Sequence, residues 1–136
     1  MFHNIKIMTE FIHKDLSKKV IGAFYTVYNT LGYGFLEKVY ENALCVELKS
    51  QGVYVESQVA IEVFYKEERV GLYYADLLID KCLIVELKAA ENLCEEHEYQ
   101  LLNYLKGTNI EIGLLLNFGR EPQFKRLIFT NDRKNL

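Results

Sequence analysis

Beyond Gly52 the apolar residues of this chain stop recurring at three and four and begin to alternate at two, and that change of period limits the architectures open to it. Two amphipathic helices precede the change. From Phe11 to Thr30 the stripe Ile12, Leu16, Val20, Ala23, Phe24 and Val27, continued by Leu31, forms one face. LGYG ends that helix, because two glycines let the backbone turn. A second stripe, Leu36, Val39, Tyr40, Ala43, Leu44 and Leu48, predicts a helix over about Leu36 to Ser50, closed by Gln51-Gly52.

After the change, VYVESQVAIEVFYKEERVGLYYADLLIDKCLIVELKAA is rich in Val, Ile, Tyr and Phe and is interrupted by turn-like KEER and DK. It reads as three or four strands in hairpins. A third helix is expected over about Leu93 to Lys106, with Asn92 as its cap, Glu95, Glu96 and Glu98 in the turns where the helix dipole favours acid, and Lys106-Gly107 at its end. IEIGLLLNF and FKRLIFT follow as strands, the first so apolar that it belongs in the middle of a sheet. The order ααββββαββ predicts an α/β fold, a mixed β-sheet flanked by helices. With 136 residues, one proline and no linker or repeat, a single domain over 1–136 is expected.

No stretch reaches the roughly 18 uninterrupted apolar residues of a membrane span, and the first residues, MFHNIKIMTEFIHKDLSKK, lack the apolar run of a secretory signal. A soluble, cytoplasmic protein without a membrane partner is the expectation. Three cysteines, Cys45, Cys82 and Cys94, with no C-x-x-C pair, point to reduced thiols. Cys94 and His97 have half the spacing of a zinc site but no second pair to complete it. The net charge of -3 argues against avid binding of nucleic acid through phosphate neutralisation alone. Basic residues cluster twice, at His13, Lys14, Lys18 and Lys19, and at Arg120, Lys125, Arg126, Arg133 and Lys134. A homodimer is one way to concentrate them; solvated faces are the other reading.

Chemistry is concentrated in YYADLLIDKCLIVELKAAE. If LIVELK is extended, Glu86 and Lys88 emerge on one face. Pairing Ile79 with Leu83 around a three-residue loop, Asp80-Lys81-Cys82, sets Asp76 opposite Glu86. Directly opposed carboxylates repel. A divalent cation resolves that conflict, since hard oxygens from two strands suit Mg²⁺ or Mn²⁺ and a nearby lysine can hold a phosphate oxygen or a water. The spacing also admits a plainer reading, an ion pair between Glu86 and Lys88 on a solvated face with Asp76 at a strand end.

Gly34-Phe-Leu-Glu37-Lys-Val-Tyr40 resembles the G-x-x-E-x-x-Y signature of the GxxExxY protein family, and the resemblance runs from about Ile12 through the last strand. QVAIEVFYKEERVG, ADLLID, IVELKA, the run from His97 through Gln100 to Tyr104, and GLLLNFG are similar to that family as well. The family in turn is similar to the PD-(D/E)XK nuclease superfamily, with its restriction-endonuclease-like fold. The resemblance implies phosphodiester hydrolysis with Mg²⁺ or Mn²⁺, and a nucleic acid partner, DNA before RNA. It implies Asp76 and Glu86 as metal ligands, Lys88 as the catalytic lysine, and Glu37 as a further helix-borne metal ligand. Gln100 is expected near the site, with His97 and Tyr104 on the same helix face; Tyr40 is expected to pack and hold Glu37. Ala75 stands where the superfamily motif has proline. A non-cleaving binding or regulatory module on the same fold is the alternative.

Overall fold

A computed structural model describes residues 12–134; Phe11, the start of the first expected helix, lies outside them. Helices α1 (Lys14–Leu31) and α2 (Glu37–Ser50) come first, followed by β1 (Val55–Tyr65), β2 (Glu68–Ile79) and β3 (Leu83–Lys88). Helix α3 (Glu95–Lys106) then leads to β4 (Ile112–Phe118), β5 (Pro122–Ile128) and a final 3₁₀ turn, Asn131–Arg133. The sheet holds its five strands in the order β1-β2-β3-β4-β5. Only β3 and β4 run parallel, and α3 supplies the long crossover that a parallel pair requires.

The observed order is ααβββαββ, one strand fewer than expected. VES and VAIEV form one strand because nothing between them turns the chain: Gln58 takes a left-handed φ of 53°, yet pairing with β2 continues on either side, at Ser57↔Leu77 and Val59↔Ala75. What changes at Gln58 is which way the faces point. Val55, Leu77 and Ile79 pack with α1 and α2, whereas Ile61 and Ala75 pack with α3. The hairpin therefore turns its faces over where Gln58 meets Asp76.

Turn chemistry sets the two hairpins. Lys66 and Glu67 both have positive φ between the paired Tyr65 and Glu68, the requirement of a two-residue hairpin loop matched to strand twist. Asp80 and Lys81 do the same in the three-residue loop that pairs Ile79 with Leu83.

Two apolar layers sandwich the sheet. On one side Val20, Phe24, Leu44 and Leu48 of the helices meet Leu83, Val85, Leu87, Leu114 and Leu116; on the other, Leu101, Tyr104 and Leu105 of α3 meet Ile84 and Leu115. β4 is buried along its whole length, as expected of a central strand. Tyr40 stacks on Phe118 with centroids 4.2 Å apart, and Phe24 meets the same ring edge-on at 4.8 Å; such pairs add roughly 0.5–1.5 kcal/mol each beyond area burial. Arg126 on β5 reaches Ser17 Oγ at 3.2 Å and also bonds the Ile12 carbonyl. The two basic clusters thus adjoin within one chain.

Helix α3 begins two residues later than expected. Its cap is Cys94, not Asn92, because His97 Nδ1 accepts the Cys94 backbone N–H at 3.2 Å. That contact gives the Cys94/His97 spacing a capping role.

Candidate functional site

The β2–β3 ladder carries three pairs, Ile79↔Leu83, Leu78↔Ile84 and Leu77↔Val85. At the next rung side chains replace backbone carbonyls. The Asp76 N–H donates to Glu86 Oε1 at 2.9 Å, and the Leu87 N–H donates to Asp76 Oδ2 at 2.9 Å. Each carboxylate thus satisfies the strand that bears the other. Buried backbone N–H groups need such partners, so the two acids hold the strands together where the ladder ends.

Burial is the first cause of their electrostatics. Glu86 is only 3% exposed; desolvation, then the Asp76 charge, pushes its carboxyl up to about 8, against the Asp76 N–H and Lys88, which favour the anion. Asp76 is also raised, by burial first and by the charges of Glu41 and Glu37, with the Leu87 N–H opposing. Crowded acids in a half-closed site hold protons longer than free ones.

Lys88 extends from the end of β3 and donates to Gln100 Oε1 at 2.9 Å, while Gln100 Nε2 donates to the Tyr104 hydroxyl at 3.0 Å. The strand end that carries Lys88 is fixed by Asn117, which is fully buried. Its Oδ1 accepts the Ala90 N–H at 2.9 Å and its Nδ2 donates to the Ala90 carbonyl at 3.0 Å, extending the parallel pairing beyond Lys88↔Asn117.

Helix α2 supplies two acids of unlike character. Glu37, in its first turn, is exposed and makes no hydrogen bond to a described residue. Glu41, one turn on, is 3% exposed; it pairs with Lys38 and accepts from Gln58 Nε2 at 2.6 Å. Gln58 Nε2 also lies 3.4 Å from Asp76 Oδ1, so its left-handed backbone aims one amide at two carboxylates. Sequence reasoning passed over both residues. For Glu41 a signal existed, since it shares three-and-four spacing with buried Leu44 and Leu48; for Gln58 there was none. Tyr40 packs as expected: its hydroxyl donates to the Gly32 carbonyl at 2.7 Å and accepts from the Phe35 N–H at 3.2 Å. It holds the turn before α2, where Gly34 has a φ of 107° that side chains avoid.

The charges of Glu37 and Glu41 reach Asp76, and those of Asp76, Glu37 and Lys88 reach Glu86, so the structure brings Asp76, Glu86, Lys88 and Glu37 into one neighbourhood, with Gln100 held on Lys88. A cleft of about 240 Å³ lies among Glu37, Lys38, Glu41, Gln58, Asp76 and Leu87. Hard carboxylate oxygens there suit Mg²⁺ or Mn²⁺ in kind, and a divalent cation would offset the repulsion that, after burial, raises Asp76 and Glu86. Among the described residues no three His, Cys, Asp or Glu side chains already stand as a closed ligand set.

No protein of curated function matches the sequence. The crystal structure of a protein named SSO0001 superposes over 87% of this chain with a TM-score of 0.53 at 19% identity, a likeness of fold; the match spans 60% of that protein's length. No helix among the described residues is long and apolar enough to cross a membrane. A family model of the PD-(D/E)XK nuclease superfamily matches residues 14–127, and with the mixed sheet and paired acids already described, the chain belongs to that superfamily.

Proposed function

We propose that this chain is a Mg²⁺- or Mn²⁺-dependent nuclease that hydrolyses phosphodiester bonds of nucleic acid, with DNA the first substrate to test. The carrying observation is the exchange of hydrogen bonds between Asp76 and the Glu86-Leu87 segment, with Lys88 two residues beyond Glu86. Asp76, Glu86 and Glu37 would hold the cation. When bound, it lowers the pKa of a water and stabilises negative charge on the scissile phosphate. Lys88 orients the attacking water or a phosphate oxygen, and Gln100 keeps its ammonium aimed. Gln58, bonded to Glu41 and reaching Asp76 Oδ1, positions the Asp76 carboxylate.

A non-cleaving binding module is the second reading, since a fold of this kind does not fix its chemistry. Purified protein and Lys88→Ala are incubated with labelled DNA and RNA in Mn²⁺; cleavage by the wild type alone supports the nuclease, and equal cleavage by both removes Lys88 from the mechanism. No cleavage, with no Mn²⁺ rise in melting temperature that Asp76→Asn abolishes, gives the binding module. A homodimer is not needed to unite the basic clusters, which α1 and β5 already bring together.

A further inference from the structure

A groove between the β1–β2 hairpin and α3 shares Gln100 and Tyr104 with the site, while the rest of its lining takes no part in the chemistry above. Its volume, about 700 Å³, falls within the roughly 300–1,000 Å³ of typical ligand pockets. Its walls are rings, Phe64 and Tyr73 from the hairpin and Tyr99 and Tyr104 from α3. Tyr104 is buried, but Phe64, Tyr73 and Tyr99 remain 59%, 52% and 60% exposed. Grouped apolar surface left open in this way marks a site of contact. The groove is also joined to the acids: Tyr104 accepts from Gln100, and Gln100 accepts from Lys88.

We infer that this groove receives the unpaired bases of the strand whose phosphate lies at Lys88, so that the substrate class is single-stranded or locally unpaired nucleic acid. This rests on the nuclease reading. Bases inside a duplex have their faces covered by neighbours, and only unstacked ones can lie against protein rings. Charge points the same way. With a net charge of -3 the chain gains little from phosphate neutralisation, so ring stacking has to supply affinity. Glu62 and Glu96 stand on the groove wall beside Lys106, with Glu62 also facing Arg69 at 3.8 Å, and their carboxylates offer acceptors to the exocyclic amino groups of bases. The rings offer faces to the bases, and the Lys88 ammonium beyond Gln100 offers a charge to the phosphate.

The test is binding by fluorescence anisotropy without added metal, using labelled single-stranded DNA, RNA of the same sequence, blunt duplex, and an abasic strand. The expected result is tighter binding of a single strand than of duplex or abasic strand, the DNA and RNA arms telling which sugar is held. Tyr99→Ala and Phe64→Ala weaken single-strand binding by roughly 5- to 150-fold, the range for one lost base stack. Neither shifts the melting temperature, and neither affects the abasic strand. Duplex or abasic strand bound as tightly as the single strand, or both variants binding like wild type, overturns the inference. A Tyr99→Ala that changes the sedimentation coefficient while leaving oligonucleotide binding intact assigns the groove to a second copy, and overturns it too. The two readings fail separately: a groove that binds bases in a protein that cuts nothing sinks only the nuclease, whereas Lys88-dependent cutting with indifferent Tyr99 and Phe64 variants sinks only the groove.

Discussion

Asp76 gives its backbone N–H to the Glu86 carboxylate while its own carboxylate takes the N–H of Leu87, each at 2.9 Å. The acids therefore have a structural duty as well as a proposed chemical one, and substitutions separate the two. Asp76→Ala leaves the Leu87 N–H without its acceptor, a loss of about 1–3 kcal/mol. Asp76→Asn keeps an acceptor oxygen and removes the repulsion on Glu86. Urea denaturation without metal should show Ala clearly destabilised and Asn close to wild type, while neither gains stability from Mn²⁺.

Glu86 makes stability depend on pH in an uncommon direction for a carboxylate. Its carboxyl rises from 4.5 to about 8 on folding, so between those values the folded protein keeps a proton that the unfolded chain has lost. Stability from this group is full below the unfolded value and is lost as pH rises through the folded one. The slope is at most about 1.4 kcal/mol per pH unit for one proton. Denaturation of metal-free protein at pH 5.5 and pH 8 should show lower stability at pH 8, Glu86→Gln should flatten the trend, and saturating Mn²⁺ should restore most at pH 8. A flat wild-type profile would contradict this account of Glu86.

Glu37 and Glu41 should respond oppositely. Glu37 is exposed, and Glu37→Gln should change stability by no more than about 0.5 kcal/mol while reducing the Mn²⁺ thermal shift. Glu41 is buried while Lys38 and Gln58 are exposed, so Glu41→Ala leaves both donors to water and costs only the net worth of its hydrogen bonds, about 0.5–1.5 kcal/mol. Paired melting curves with and without Mn²⁺ distinguish the two residues.

The parts of this fold that local rules govern were legible in the chain. The loop Asp80-Lys81-Cys82 sets a register in which Ile79 meets Leu83, and the apolar density of GLLLNF marks a central strand. The count before α3, three or four strands, resolves to three because β1 runs through Gln58 unbroken, and no residue type there announces a left-handed φ. Glu86 and Lys88 were placed by alternation alone. The links from Gln58 to Glu41 and from Arg126 to Ser17 join residues 17 and 109 positions apart, and only packing creates them. Asn92 was chosen as cap by residue preference, which the Cys94–His97 contact overrode.

The chain from Lys88 through Gln100 to Tyr104 predicts graded losses. Gln100→Ala frees the ammonium, and misplacement of a reacting group by about 1 Å can cost on the order of 100-fold in rate. Tyr104→Phe keeps the ring against Tyr73, 5.9 Å away, and removes only the hydroxyl that Gln100 donates to, so its effect should be several-fold smaller. Single-turnover cleavage in Mn²⁺ ranks wild type, Tyr104→Phe, Gln100→Ala and Lys88→Ala in falling order.

Two glycines test how rigidly the sheet must sit for that lysine to be aimed. A Cβ on Gly113 would lie 2.8–3.0 Å from the Leu101 side chain, which can move, so Gly113→Ala should cost about 1–3 kcal/mol, and less when Leu101→Ala is added. A Cβ on Gly119 would lie 2.5 Å from the Ala90 carbonyl and 3.0 Å from Asn117 Nδ2. These belong to the clasp that holds the end of β3, and backbone cannot swing aside as a leucine can. Gly119→Ala should therefore be the more destabilising of the two, should resist rescue by any single side-chain truncation, and should lower cleavage by moving Lys88. Equal stabilities for the two alanine variants would mean that the clasp yields as easily as a leucine.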